Sequence, residues 1–143
     1  MAFPSREIYE RFIYSLPAAY PEIRSSSLNL YTNSPTTCFV KGSIIFQDGS
    51  ELRVFEYIDM SDGELLSYSY TFFQGEKQIR WYDPQPHPEN SELAQTFPHH
   101  FHEDPDIKHN RKPAPGISFT SLNLPTLISD YKEFIGLIKN GRN

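Results

Sequence analysis

Three glycine turns, Asp48-Gly49, Asp62-Gly63 and Gln74-Gly75, punctuate a stretch rich in β-branched and aromatic residues, at intervals of 14 and 12 residues. Intervals that short hold a strand and a turn but no crossover helix, so successive strands must run antiparallel. Asp-Gly is a strong hairpin signal because glycine takes positive φ without steric cost. The turns delimit strands over residues 38–46, 51–58, 64–73 and 78–82. In the second of these, Leu52, Val54 and Ile58 alternate with Arg53, Phe55 and Tyr57. An earlier strand is expected over residues 24–31, with Leu28 and Leu30 on one face, before a turn at Ser34-Pro35. This is the pattern of a β-meander.

Helical spacing flanks the meander on both sides. Ser5 is placed to cap a first helix, with Glu7 in its positive first turn and Ile8, Phe12, Ile13 and Leu16 on one face. Pro17 is expected to end it. A second helix is expected after Asn123 as cap, with Leu124, Leu127, Ile128, Tyr131, Ile135 and Ile138 as an apolar stripe, Lys139 near its negative end and Gly141 at its end. Each stripe needs cover, so both helices should pack on the same sheet face. The expected fold is α+β: an antiparallel meander sheet of about five or six strands with an N-terminal and a C-terminal helix, one domain over residues 1–143.

Composition supports a packed core. Hydrophobic residues are 38%, a low share that 11 Phe, 9 Tyr and 1 Trp offset with large buried areas. Cys38 is the single cysteine and reads as a small core residue, which excludes an internal disulfide. No apolar run approaches the roughly 20 residues of a membrane span, so no membrane association is expected. Without a signal-peptide pattern, the cytoplasm is the expected location. The formal net charge of -5 opposes indiscriminate binding to nucleic acid but leaves a local basic cleft open. No Walker loop, GxGxxG, zinc-finger pair or GxSxG elbow is present.

Chemistry concentrates where the meander breaks. Residues 83–98 form a stiff loop with Pro84, Pro86, Pro88 and Pro98. Residues 96–102 could form a further strand, and 103–115 a loop carrying Lys108, Arg111 and Lys112, before a last extended piece at 117–119. All five histidines, His87, His99, His100, His102 and His109, lie in this region. Histidine titrates near neutrality and binds metals. On a strand, His100 and His102 share a face and His99 takes the other. The cluster fits a His-rich polar loop, proton-transfer or anion-binding chemistry, or a metal site with His87 as third ligand. Arg80 and Tyr82 share a face of the fifth strand, opposite Trp81 and Asp83. They could hold a phosphate or carboxylate, or Arg80 could pair with Glu56 or Glu64 while Tyr82 enters the core. Asp59 and Asp62 are explained by their turn. Tyr68 and Tyr70 either stack on bases or pack beneath a helix.

The order of several blocks resembles the TumE-like proteins, small bacterial and archaeal proteins classed as toxins of toxin–antitoxin modules. The blocks are Phe46-x-Asp48-Gly49-Ser50-x-Leu52, Glu56-Tyr57, Tyr68-Ser69-Tyr70, Arg80-x-Tyr82-Asp83, Pro86-His87 and Thr96-Phe97-Pro98-His99-His100-x-His102. The resemblance covers roughly residues 41–134. Pro84, Pro88 and Thr71 depart from the pattern, standing where the family commonly has an amide, a second histidine and a histidine. The departures count against a metal site, and no metal or other cofactor is expected. The resemblance implies an antitoxin partner, often of helix-turn-helix type, and supplies no mechanism. The leading expectation is a toxin acting on RNA as a metal-independent ribonuclease. RNA brings its own nucleophile, so a base, an acid and a cation suffice. His87, His99, His100 or His102 would be acid and base, Arg80 and Tyr82 would stabilise the phosphorane, and Asp83 would orient a histidine. These groups should converge on one cleft. The alternative is a non-enzymatic protein-binding module with a structural His-rich loop, which burial and backbone hydrogen bonding of the histidines would favour.

Overall fold

In the computed structural model, residues 3–141 are described, with side chains through Phe134. Eight strands form one antiparallel sheet in the order β1-β3-β4-β5-β6-β7-β8, and β2 also pairs with β3. The elements are α1 (Arg6–Ala19), β1 (Ile23–Ser26), β2 (Asn29–Thr32), β3 (Thr37–Phe46), β4 (Glu51–Asp59), β5 (Glu64–Gln74), β6 (Lys77–Asp83), β7 (His100–Glu103), β8 (Arg111–Pro113) and α2 (Leu124–Gly141). The α+β class and both helices follow the sequence expectation, and the sheet has more strands than expected.

The differences have local causes. The strand expected over 24–31 is two strands, β1 and β2, each pairing with one half of β3. Gly42 lies under the crossing between them, at φ 140°, where a Cβ would stand 2.5 Å from the Ser27 carbonyl oxygen. Only glycine lets the two backbones approach so closely. Pro17 sits inside α1 instead of ending it. Its missing N–H costs one bond near the helix end, and the helix closes where the Tyr20 N–H donates to Leu16, just before Pro21. Tyr9, Ile13 and Leu16 are the buried face, while Ile8 turns to solvent. β8 lies within a segment expected to be loop, and residues 117–119 form no strand. Phe119 instead accepts a bond from the Leu65 N–H through its carbonyl.

Both helices pack on the same sheet face. From α1, the Tyr9 hydroxyl donates to Glu56 on β4. From α2, Tyr131 stacks on Phe46 at 3.7 Å between ring centroids, and Leu124, Leu127, Ile128 and Phe134 are buried with it. Asn123 stands at the N-cap position of α2, where its carbonyl accepts from the Leu127 N–H. Its side chain turns back instead, donating to the Tyr70 hydroxyl and to the Ser118 carbonyl. Ile135, Ile138 and Lys139 lie outside the described side chains. Among the described residues, no helix is long and apolar enough to cross a membrane.

Candidate functional site

The far sheet face is covered at the β6–β8 end by the proline-rich loops. Register decides what meets there. β6 and β7 pair Arg80 with Glu103, Trp81 with His102, Tyr82 with Phe101 and Asp83 with His100. Directly paired residues share a face and successive residues alternate. Trp81, Asp83, His100 and His102 therefore lie on one face, and Arg80, Tyr82 and Phe101 on the other. β8 adds Arg111 opposite His102.

Asp83, His100 and His102 form a buried cluster. Nε2 of His102 lies 3.0 Å from Oδ2 of Asp83, and Nε2 of His100 lies 3.3 Å from Oδ1. The two Nε2 atoms are 3.1 Å apart. Oδ1 also accepts the Gln85 N–H at 2.8 Å. Desolvation pushes the Asp83 pKa up, but the contact with His102, the Gln85 N–H and the neighbouring imidazoles outweigh it and hold the carboxyl below its ordinary value. Burial pushes the His100 pKa down. Trp81 stacks on His102 at 4.6 Å and donates from its indole to Ser69, which fixes the imidazole plane.

The loops set the cluster's depth. A 3-10 turn, Ser91–Thr96, is capped by Asn90, whose side chain accepts from the Glu92 N–H. The Thr96 hydroxyl donates to the His99 carbonyl and accepts the Ala114 N–H, tying this loop to the end of β8. Asp83 borders a shallow depression of about 340 Å³ shared with Ser67, Tyr68, Ser69, Trp81, Pro84 and Gln85. His87 packs its ring edge-on against His100, with centroids 5.0 Å apart. It lines a second depression with Pro88, Asn90, Ala94 and Phe97.

The expected convergence on one cleft therefore divides between two faces. His87 and the pair His100 and His102 gather around Asp83. Arg80 and Tyr82 face α2: Arg80 bonds Glu103 at 3.2 Å and lies over the rings of Phe101 and Phe134, while the Tyr82 hydroxyl donates to Asp130 at 2.9 Å. Period-two alternation is the physical reason, since Asp83 is an odd number of residues from both. Neither Glu56 nor Glu64 pairs with Arg80. His99 also points to the helix side, where its Nδ1 lies 2.6 Å from the Tyr68 hydroxyl. Tyr68 and Tyr70 are buried. His109 is exposed beside Asp106. Arg111, read only as a loop cation, stands in the same cross-strand row as His102. Its buried Nε has no hydrogen-bond partner among the described residues. The signal for Arg111 is faint, because a three-residue strand ending in a proline carries no period.

A family model described as Toxin TumE matches residues 11–138. The chain belongs to the TumE toxin family. A toxin family implies a cognate antitoxin as partner. The match takes in every strand, the second half of α1 and most of α2, a longer span than the motif blocks alone covered. No curated protein and no solved structure matches the chain.

Proposed function

We propose that this TumE-family chain is an RNA-cleaving toxin whose reacting centre is Asp83, His100 and His102, with Arg111 as the phosphate-binding cation. The observation that supports it most is the approach of two imidazole Nε2 atoms and one carboxylate to within 3.0–3.3 Å, beside a depression open to solvent. In this reading, a basic group of the centre takes the proton of a ribose 2′-hydroxyl. The resulting oxyanion attacks the adjacent phosphorus, the bond to the 5′-oxygen breaks, and that oxygen takes up a proton. The products are a 2′,3′-cyclic phosphate and a 5′-hydroxyl. Arg111, in the cross-strand row of His102, would bring its guanidinium to a phosphate oxygen. Arg80 and Tyr82 are left to packing. The antitoxin, for which the helix-turn-helix type is the reading, would cover this face, and the cytoplasm is where RNA and antitoxin would be met.

A second reading has its own support. His99, His100 and His102 are buried, and Nδ1 of His100 and of His102 bonds backbone carbonyls, as a structural His-rich loop in a protein-binding module requires. Expression toxicity and cleavage of defined RNA by the purified chain separate the two. A toxic wild type yielding 2′,3′-cyclic ends, with Asp83→Asn and Arg111→Ala folded but harmless, supports the ribonuclease. A chain that cleaves no RNA, with or without added metal, removes it.

A further inference from the structure

The protons of the two central imidazoles can be located. Nδ1 of His100 lies 3.1 Å from the Pro98 carbonyl oxygen, and Nδ1 of His102 lies 3.2 Å from that of Lys108. A carbonyl only accepts, so each Nδ1 carries a hydrogen, and in the neutral tautomer this fixes, Nε2 presents a bare lone pair. Those lone pairs face one another at 3.1 Å and face the two oxygens of Asp83 at 3.3 and 3.0 Å. Three acceptor groups thus converge where His100 is 1%, His102 3% and Asp83 6% exposed. Acceptors so close repel unless a cation lies among them. A single proton occupies one of the three contacts at a time, whereas a metal ion satisfies all three.

We propose that Asp83, His100 and His102 bind a divalent transition-metal ion through two Nε2 atoms and a carboxylate oxygen. The spacing fits. Bonds of about 2.0–2.1 Å hold tetrahedral ligands roughly 3.3 Å apart and octahedral neighbours roughly 2.9 Å apart, and the observed separations fall in that range. The Nδ1–H bonds to backbone carbonyls are the supports that metal-binding histidines use to fix ring and tautomer. Two imidazoles and one carboxylate favour zinc and its neighbours over magnesium or calcium. Three protein ligands leave a position for water, as in catalytic sites, and Asp83 connects the centre to the depression beside Trp81. The third ligand is Asp83, in the place the sequence suggested for His87. The proposal reverses the expectation of a metal-free centre. It stands on ligand geometry and goes beyond the ribonuclease reading, in which a metal-bound hydroxide would replace the imidazole as base.

Zinc chloride titrated into the chelator-stripped full chain, followed by calorimetry, is expected to show one saturable equivalent. Cobalt(II) should give ligand-field absorption. Asp83→Asn and His102→Gln should weaken binding roughly a hundredfold or more, and His109→Ala should leave it unchanged. Because the variants alter buried residues, ¹⁵N NMR of the wild type provides an independent reading: both Nε2 resonances should start bare and shift with one equivalent of zinc, while Nδ1–H persists. Absence of saturable binding, binding that survives both folded variants, or an Nε2–H imidazolium at neutral pH would overturn the proposal. The two readings fail separately. Stoichiometric zinc without RNA cleavage keeps the metal site and removes the ribonuclease. Cleavage undiminished in chelator, with no zinc bound, does the reverse.

Discussion

Glu56 and Asp83 are both buried carboxylates on neighbouring parts of one sheet, and they differ in what surrounds them. Glu56 is 0% exposed and meets donors: the Tyr9 hydroxyl on one oxygen and the Tyr70 hydroxyl at 2.5 Å on the other. Asn123 in turn donates to Tyr70. One carboxyl thus connects α1, β4, β5 and the start of α2, with its acceptor positions matched by hydroxyls. Asp83 meets one backbone N–H and two imidazoles whose protons are committed elsewhere. Desolvation lifts Glu56 above its ordinary value despite the tyrosines, while Asp83 is held below its own. A buried carboxylate whose neighbours all donate is complete and structural. Under the metal proposal, Asp83 and its imidazoles would be completed by a cation.

The contrast breaks most visibly if Glu56 is removed. Glu56→Ala leaves a cavity and orphans two buried hydroxyls, so a loss of about 3–5 kcal/mol is expected. The urea midpoint reads it, and a change below about 1 kcal/mol would show that Glu56 is not the hub described. Asp83→Asn should behave oppositely. Its stability should stay within about 1 kcal/mol of wild type, while RNA cleavage falls by about 10²-fold or more. Equal cleavage by the folded variant would make Asp83 as structural as Glu56. Tyr9→Phe sharpens the comparison by deleting one donor and sparing the carboxyl. It should cost about 1 kcal/mol, in denaturant unfolding, without altering zinc binding. A change in zinc affinity would mean that the two centres are coupled.

The sequence made one of these centres more readable than the other, for reasons of range. Alternation in β4 ran through Leu52, Val54 and Ile58, and its parity already turned Glu56 inward, although a charged residue was an unattractive core candidate. Likewise the i, i+2 spacing of His100 and His102 gave their common face. The glycine turns gave the meander, because a turn is local chemistry. Joining Asp83 to those histidines required the β6–β7 register across a long loop, which no short-range pattern carries. Grouping Arg80 with them failed on a different point, one that strand alternation does carry: Arg80 and Tyr82 lie on the face opposite Asp83. The two-strand split at Gly42 was hidden for a related reason: it depends on Ser27 passing overhead.

The smallest expected effect is a slope in stability against pH, and it tests whether Glu56 is strained by burial. Its neighbours that titrate are Tyr9 from α1, Tyr70 from β5 and Cys38 from β3, whose own pKa values are all raised, with desolvation as the leading cause. None of them ionises in the acid range, so Glu56 titrates against neutral partners. Its folded pKa is above the ordinary 4.5, so the folded state holds this proton more tightly than the unfolded chain. The stability it contributes is fully present below pH 4.5 and is lost as pH rises through the folded pKa. Glu56→Gln has no such proton to lose. The difference in unfolding free energy, wild type minus Glu56→Gln, should therefore fall as pH rises from 4.5 and level off once the folded carboxyl is ionised. Urea unfolding of both chains at successive pH values measures that difference. A difference that is flat, or that rises with pH, would mean that the tyrosine hydroxyls stabilise the carboxylate more than burial penalises it, and Glu56 would then resemble Asp83 in its charge state while still differing in its partners.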